Sequence, residues 1–176
     1  KNKAEKFKMF DLQNNKTEYI SELKTALVAE YDAFYKKYQE HHIYAFSLVL
    51  DEFLNPQYTT VSTEKSLLTE QENKFQYLPE LDKWQVEKWQ YRHQIDGGIN
   101  SLSHKMANFF QQSRLSLTQT TSFERDHENM LNFYVEAMRA ARAEIFQLMP
   151  KQSAQVLFFI WKPTSPEFSI KSLEAL

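Results

Sequence analysis

The chain has 176 residues, no cysteine and only two glycines, Gly97 and Gly98. One domain of this length folds without disulfides or structural zinc, and thiolate metal sites, cysteine nucleophiles and glycine-rich phosphate loops are excluded. The formal net charge is −2, so the whole-molecule field draws the chain neither to nucleic acid nor to anionic lipid.

Residues 1–16 open with Lys1, Lys3, Lys6 and Lys8 against Glu5, and read as a loosely attached, solvated segment. The first ten residues hold no apolar signal region. The apolar runs 43–50 and 156–161 fall well short of the roughly 20 residues that cross a bilayer. The default expectation is a cytoplasmic protein with neither membrane nor nucleic acid as partner.

From Thr17 to Gln39 the residues Ile20, Leu23, Leu27, Tyr31, Phe34 and Tyr38 recur every three or four positions, which predicts an amphipathic helix. The run from Ile43 to Leu50 is apolar on both alternating faces, as a central strand is. Its pattern predicts Tyr44, Phe46, Leu48 and Leu50 on one face, with Ile43, Ala45 and Val49 on the other. Asn55-Pro56 marks a turn into a second strand, Gln57 to Ser62, paired as a hairpin. Ser62 or Thr63 then caps a helix carrying Leu67, Leu68 and Phe75, which stops before Pro79.

Trp84-Gln85-Val86 and Trp89-Gln90-Tyr91 alternate out of phase, which predicts a bulge or bend among extended segments. A helix from about Gly97 to Gln112 follows, with Ile99, Leu102, Met106 and Phe110 inward and His104 outward. Thr121-x-x-Glu124 is a capping box for a long helix ending before Pro150, with the stripe Phe123, Met130, Leu131, Tyr134, Met138, Ala141, Ile145 and Leu148. Gln155 to Lys162 is a further strand, and Ser165-Pro166 opens a terminal helix. The order predicts a single α+β domain: a mainly antiparallel sheet of about four or more strands, with helices packed on it.

Chemistry-bearing motifs are sparse. His41-His42 stand at a helix end and are expected to face its terminal carbonyls. Glu124-x-x-His127 has the spacing of di-iron carboxylate bundles, but no second copy exists, so no metal is assigned. His127 falls about 20° from Tyr134 on the helical wheel and is expected to be buried with a local hydrogen-bond partner. No G-x-S-x-G elbow and no H-E-x-x-H zinc motif occurs, so no catalytic, metal or cofactor-binding residue and no cofactor is assigned.

The cluster Trp84, Trp89 and Tyr91 is the most unusual local feature. Trp89 is expected in the core, and Trp84 at least partly exposed between Lys83 and Lys88. That trio, Trp84, Lys83 and Lys88, is the candidate partner-binding patch, because aromatic residues beside cations are enriched at interfaces.

Three stretches carry a family resemblance. His42-Ile43-Tyr44-Ala45-Phe46-Ser47-Leu48 resembles the opening strand of a bacterial family, domain of unknown function 4303. Ser62-Thr63-Glu64-Lys65-Ser66-Leu67 is similar to that family's following helix start, with Ser62 where Asn is usual. Trp84-x4-Trp89-x-Tyr91 is similar to its Trp-Ser-Pro-x-Glu-Trp-x-Tyr stretch, with Gln85-Val86 in place of Ser-Pro. The resemblance spans about residues 17 to 176 and implies a compact bacterial α+β domain, with no functional residue to carry over.

Function is therefore expected at the level of class. The leading expectation is a non-enzymatic protein-interaction module, of immunity type, with an unknown protein as partner. The alternative is a hydrolase whose site is assembled from distant residues, with His93 or His127 as base. A histidine within hydrogen-bond reach of both a carboxylate and a hydroxyl in one cleft separates the two.

Overall fold

Helix α1 (Leu12–Tyr38) buries Leu23, Leu27, Tyr31 and Phe34, the i, i+4, i+8, i+11 stripe read from the sequence. In this computed structural model the described residues are 12–52, 54–64, 68–71, 74–77, 84–93, 102, 104–105, 108 and 123–176; the side chains of 12–15, 68–71, 74–77 and 123–127 are outside that description. A single 3-10 turn, Gln39–His41, closes the helix, and His42 takes a left-handed backbone (φ 57°) that turns the chain into the sheet. The His41 ring lies against those of Tyr38 and Tyr91, and its Nδ1 is 3.3 Å from the Tyr91 hydroxyl.

Strand β1 (Ile43–Leu50) is central, as its two apolar faces require. It pairs antiparallel with β2 (Pro56–Thr63). The 51–55 turn between them is tied by Asp51, whose carboxylate accepts from the Asn55 backbone at 2.8 Å and the Gln57 side chain at 3.1 Å. Within it Leu54 adopts φ 65°, a conformation costly for a branched residue. Leu54 is nonetheless held there, buried in the core, with its carbonyl accepting the Tyr134 hydroxyl.

The helix expected after Thr63 is not there. Leu68–Gln71 (β3) and Lys74–Tyr77 (β4) form a small antiparallel hairpin, with Gln71 opposite Lys74 across a two-residue connection. The spacing of Leu68 and Phe75 fits a helix, but segments of four residues carry too few periods to separate helix from strand, and their backbones pair as strands. Further on, the phase slip between the tryptophans is neither a bulge nor a strand bend but a 3-10 turn, Val86–Lys88. It leads into the short strand β5 (Tyr91–His93), which pairs with β2. In the segment expected to be helical, the described positions Leu102, His104, Lys105 and Asn108 are helical; Leu102 is buried and the other three exposed.

Helix α2 (Phe123–Leu148) buries Met130, Leu131, Tyr134, Met138, Ala141 and Ile145 as expected. Leu148, the last member of the predicted stripe, is exposed instead. The side chain of His127 lies outside the described residues. A short helix, α3 (Pro150–Ser153), turns the chain into β6 (Leu157–Trp161), and α4 (Pro166–Ala175) ends it.

The sheet order is β5-β2-β1-β6, antiparallel except for β1 and β6, which run parallel. The fold is α+β, with a mostly antiparallel mixed sheet. Both long helices pack on one face. The ion pairs Lys16–Glu136 and Lys24–Glu144 link them in step, eight residues on along each, so α1 and α2 run parallel. Between helices and sheet lie Leu23, Leu27, Tyr31, Phe46, Leu48, Val61, Tyr134, Met138, Phe158 and Ile160, all buried. Each such side chain contributes roughly 1.5–3 kcal/mol by its removal from water.

The opposite face is thinner. Ala45, Val49 and Phe159 of the sheet are covered, among the described residues, by Val86 and Trp89 of the 3-10 segment. Phe46, Leu48 and Leu50 face the helices as expected, while the first two residues of β1 are exchanged. Tyr44 packs on the thin face and Ile43 on the helix face, because the register slips between Ile43 and Ala45.

Candidate functional site

Two places bring chemistry-bearing side chains together, one on each face of the sheet. On the thin face a small apolar centre, Ala45, Val49, Val86, Trp89 and Phe159, is ringed by the half-buried rings of Tyr44, Tyr58, Trp84 and Trp161. Trp84 stands edge-on to Tyr44 with ring centroids 5.6 Å apart. Trp89 is buried and touches Phe159 at 5.8 Å. The Arg92 guanidinium lies 5.2 Å from the Tyr58 ring centroid and donates from Nε to the Trp89 carbonyl. Glu87 accepts the Trp161 indole N–H at 2.8 Å. Burial raises the Tyr58 pKa above its usual 10, with Arg92 opposing the shift and Glu87 adding to it.

Of the sequence candidates for partner binding, Trp84 is on this rim and half-buried, and Lys88 is exposed on the adjoining 3-10 turn. Lys83 lies outside the described residues. Tyr91, expected beside the tryptophans, is on the other face, stacked on Tyr38 at 4.0 Å. The chain bends at Gln90, between Trp89 and the start of β5, so the two rings part. The rim members Tyr58, Trp161 and Arg92 come from three different strands, and no local motif signals that they meet.

On the helix face, α1 and β5 enclose a cleft of about 190 Å³, lined by Glu30, Ala33, Phe34, Lys37, Tyr38, Arg92 and His93. Glu30 Oε2 is 2.5 Å from His93 Nδ1 and accepts the Thr59 hydroxyl at 3.1 Å. Glu30 is only 8% exposed, whereas half of the His93 side chain faces solvent. With Nδ1 directed at the carboxylate, the ring's Nε2 is the atom left for chemistry. Of the two histidines offered as bases, His93 alone is placed in a cleft by the described side chains.

The arrangement differs from a nucleophilic triad in one respect. The hydroxyl, on Thr59, contacts the carboxylate rather than the histidine, and Thr59 is wholly buried. It orients Glu30 and is no nucleophile. Glu30 itself was missed in reading the sequence, although a signal is present. At 100° per residue it falls about 20° from Leu23, so a carboxylate sits on the inward stripe of α1. The buried polar group is the informative one.

No group of three or more histidine, aspartate or glutamate side chains placed to hold a metal ion occurs among the described residues. No described helix is long and apolar enough to cross a membrane. No curated protein and no solved structure matches the chain. The family model described as domain of unknown function (DUF4303) matches residues 23–176, from the first buried leucine of α1 through the whole sheet to the end of α4. The chain therefore belongs to the DUF4303 family.

Proposed function

We propose that the chain is a protein-interaction module of a bacterium, immunity-type and cytoplasmic, which holds a partner protein on the thin face of its sheet. The observation that carries the reading is the ring of Tyr44, Tyr58, Trp84 and Trp161 around a small apolar centre, with Arg92, Lys88 and Glu87 beside it. Tyr, Trp and Arg dominate binding hot spots, the two aromatics because they offer large contact areas at low entropic cost. The net charge of −2 suits a basic partner, steering its approach while the rings supply contact.

The test is co-purification of the tagged chain from its source, with mass spectrometry of retained proteins, repeated with Trp84→Ala, Tyr58→Ala and an Ile170→Ala control on the far helix. A basic protein retained by the wild type and by the control, and lost from both rim variants, supports the reading. Retention indifferent to the rim variants, or no specific retention, overturns it.

A second reading, a hydrolase, is favoured by one specific observation: Glu30 2.5 Å from His93 at the mouth of a cleft. Here Glu30 orients the imidazole and Nε2 takes a proton from water, which attacks a small ester; no side-chain nucleophile is involved. Hydrolysis of p-nitrophenyl acetate by the wild type is then expected to exceed that of His93→Gln and Glu30→Gln by tenfold or more, with His104→Gln unchanged. Equal rates in all four proteins exclude this reading.

A further inference from the structure

We propose that the cleft between α1 and β5 binds a small organic anion, a carboxylate or phosphate carried on a flat apolar group. The proposal depends on neither reading above, since a ligand site serves a regulated binder and an enzyme alike.

The cleft is lined by two nitrogen-bearing side chains, His93 and Lys37, and by the rings of Phe34 and Tyr38. His93 Nε2 has no hydrogen-bond partner among the described residues, because the ring is anchored through Nδ1. Lys37 stands seven residues after Glu30 on the same face of α1, and no carboxylate lies within ion-pair distance of it among the described residues. Its neighbour Lys36, by contrast, is paired with Asp32 at 2.6 Å. The Lys37 ammonium lies 5.3 Å from the Tyr38 ring centroid, beside the cleft that both residues line. Phe34 and Tyr38 supply the apolar wall, Phe34 meeting the His93 ring edge-on at 6.3 Å. Ala33, with its small side chain, leaves the space open.

The sign of the ligand follows from how the one acid is used. Glu30 lines the cleft but is buried, and its Oε2 is already engaged by both His93 and Thr59. In its protonated form the ring held by Glu30 offers Nε2–H as a donor, and Lys37 offers its ammonium. An anion then gains two charge-assisted hydrogen bonds, whereas a cation meets Lys37 at close range. Arg92 also lines the cleft, but its guanidinium is turned to the opposite sheet face, over Tyr58, and is not counted. About 190 Å³ is below the usual range for drug-sized ligands, so the cleft suits one ring with an acidic group.

The test uses the full chain and the His93 imidazole as an NMR reporter at fixed pH and ionic strength. The probes are benzoate, phenyl phosphate, neutral benzyl alcohol and benzylammonium. Saturable shifts are expected for benzoate or phenyl phosphate with half-saturation in the millimolar range or below, and the tighter of the two identifies the acid group. Lys37→Gln, an exposed substitution that leaves the core intact, is expected to weaken that binding by about fivefold or more. The proposal is overturned if no anion saturates the signal, if benzyl alcohol or benzylammonium binds as well, or if Lys37→Gln binds the anion like the wild type.

Discussion

Glu30 and His93 stand 63 residues apart in the chain, and the carboxylate of one meets the imidazole Nδ1 of the other at 2.5 Å. The contact joins the inward face of α1 to the outermost strand of the sheet. Thr59 of β2, opposite His93 in the register, completes the set from the strand between. A buried carboxylate of this kind is a weak source of stability, since desolvation offsets most of its attraction for a partner.

That argument gives a double-mutant prediction. Glu30→Leu alone is expected to cost about 1–3 kcal/mol, because the buried Thr59 hydroxyl loses its acceptor. Adding Thr59→Val removes the orphan, and the pair is expected to return to within about 1 kcal/mol of the wild type. Urea unfolding of the four proteins measures both. A double variant that stays as unstable as the single one would make the pair structural rather than functional.

Tyr31 is fully buried at the centre of the helix-face core, edge-on to Phe46, and its hydroxyl has no hydrogen-bond partner among the described residues. Burial, with a smaller contribution from Tyr35, pushes its pKa up from 10 to about 12. Burial raises Tyr134 as well, with Asp51 acting in the same direction. A raised folded-state value means that the unfolded chain gives up its proton first. The stabilisation is therefore complete below pH 10 and is lost as pH rises from 10 towards 12, by roughly 2–3 kcal/mol for Tyr31. Tyr31→Phe is expected to flatten that loss, and at pH 7 to be neutral or up to about 1 kcal/mol more stable. Thermal unfolding at pH 7, 10 and 11.5 checks both expectations.

The three tryptophans divide by environment. Trp89 is 5% exposed and Trp84 and Trp161 are half-buried, so acrylamide should quench single-tryptophan variants retaining Trp84 or Trp161 well, and that retaining Trp89 poorly. Trp89→Ala is expected to cost roughly 3–5 kcal/mol through the cavity it leaves. Trp84→Ala should cost clearly less, and its main effect should fall on partner retention.

Helix α4 closes the edge of the sheet at β6 with two serines. The Ser172 hydroxyl accepts from the Ile160 backbone N–H at 3.1 Å and lies 3.0 Å from the Ile160 carbonyl. The Ser169 hydroxyl accepts from the Lys162 N–H at 3.1 Å. Both serines are buried, so each serves backbone groups that water does not reach. Ser172→Ala is expected to destabilise by about 1–3 kcal/mol and to raise the tendency to aggregate, since an unsatisfied strand edge recruits other strands. Denaturation midpoints and light scattering after mild heating measure the two effects.

Wherever an element is long enough for its period to repeat, its type and buried face are set by the chain alone. The stripe of α1, the two-faced apolar run of β1 and the stripe of α2 each follow from side-chain spacing, because burial selects the same positions several times over. The short pieces escape that logic. Four residues of β3 or β4 carry too few periods to separate helix from hairpin, and the backbone pairing of the two segments decided between them. Likewise the bend at Gln90 sends Trp89 and Tyr91 to opposite faces, where local alternation put them together. The cleft and the aromatic rim are furthest from the sequence, since Glu30, Thr59 and His93, or Tyr58, Trp84 and Trp161, share no segment. Periodicity reports which face of an element turns inward, but only the order and register of the strands report what that face meets.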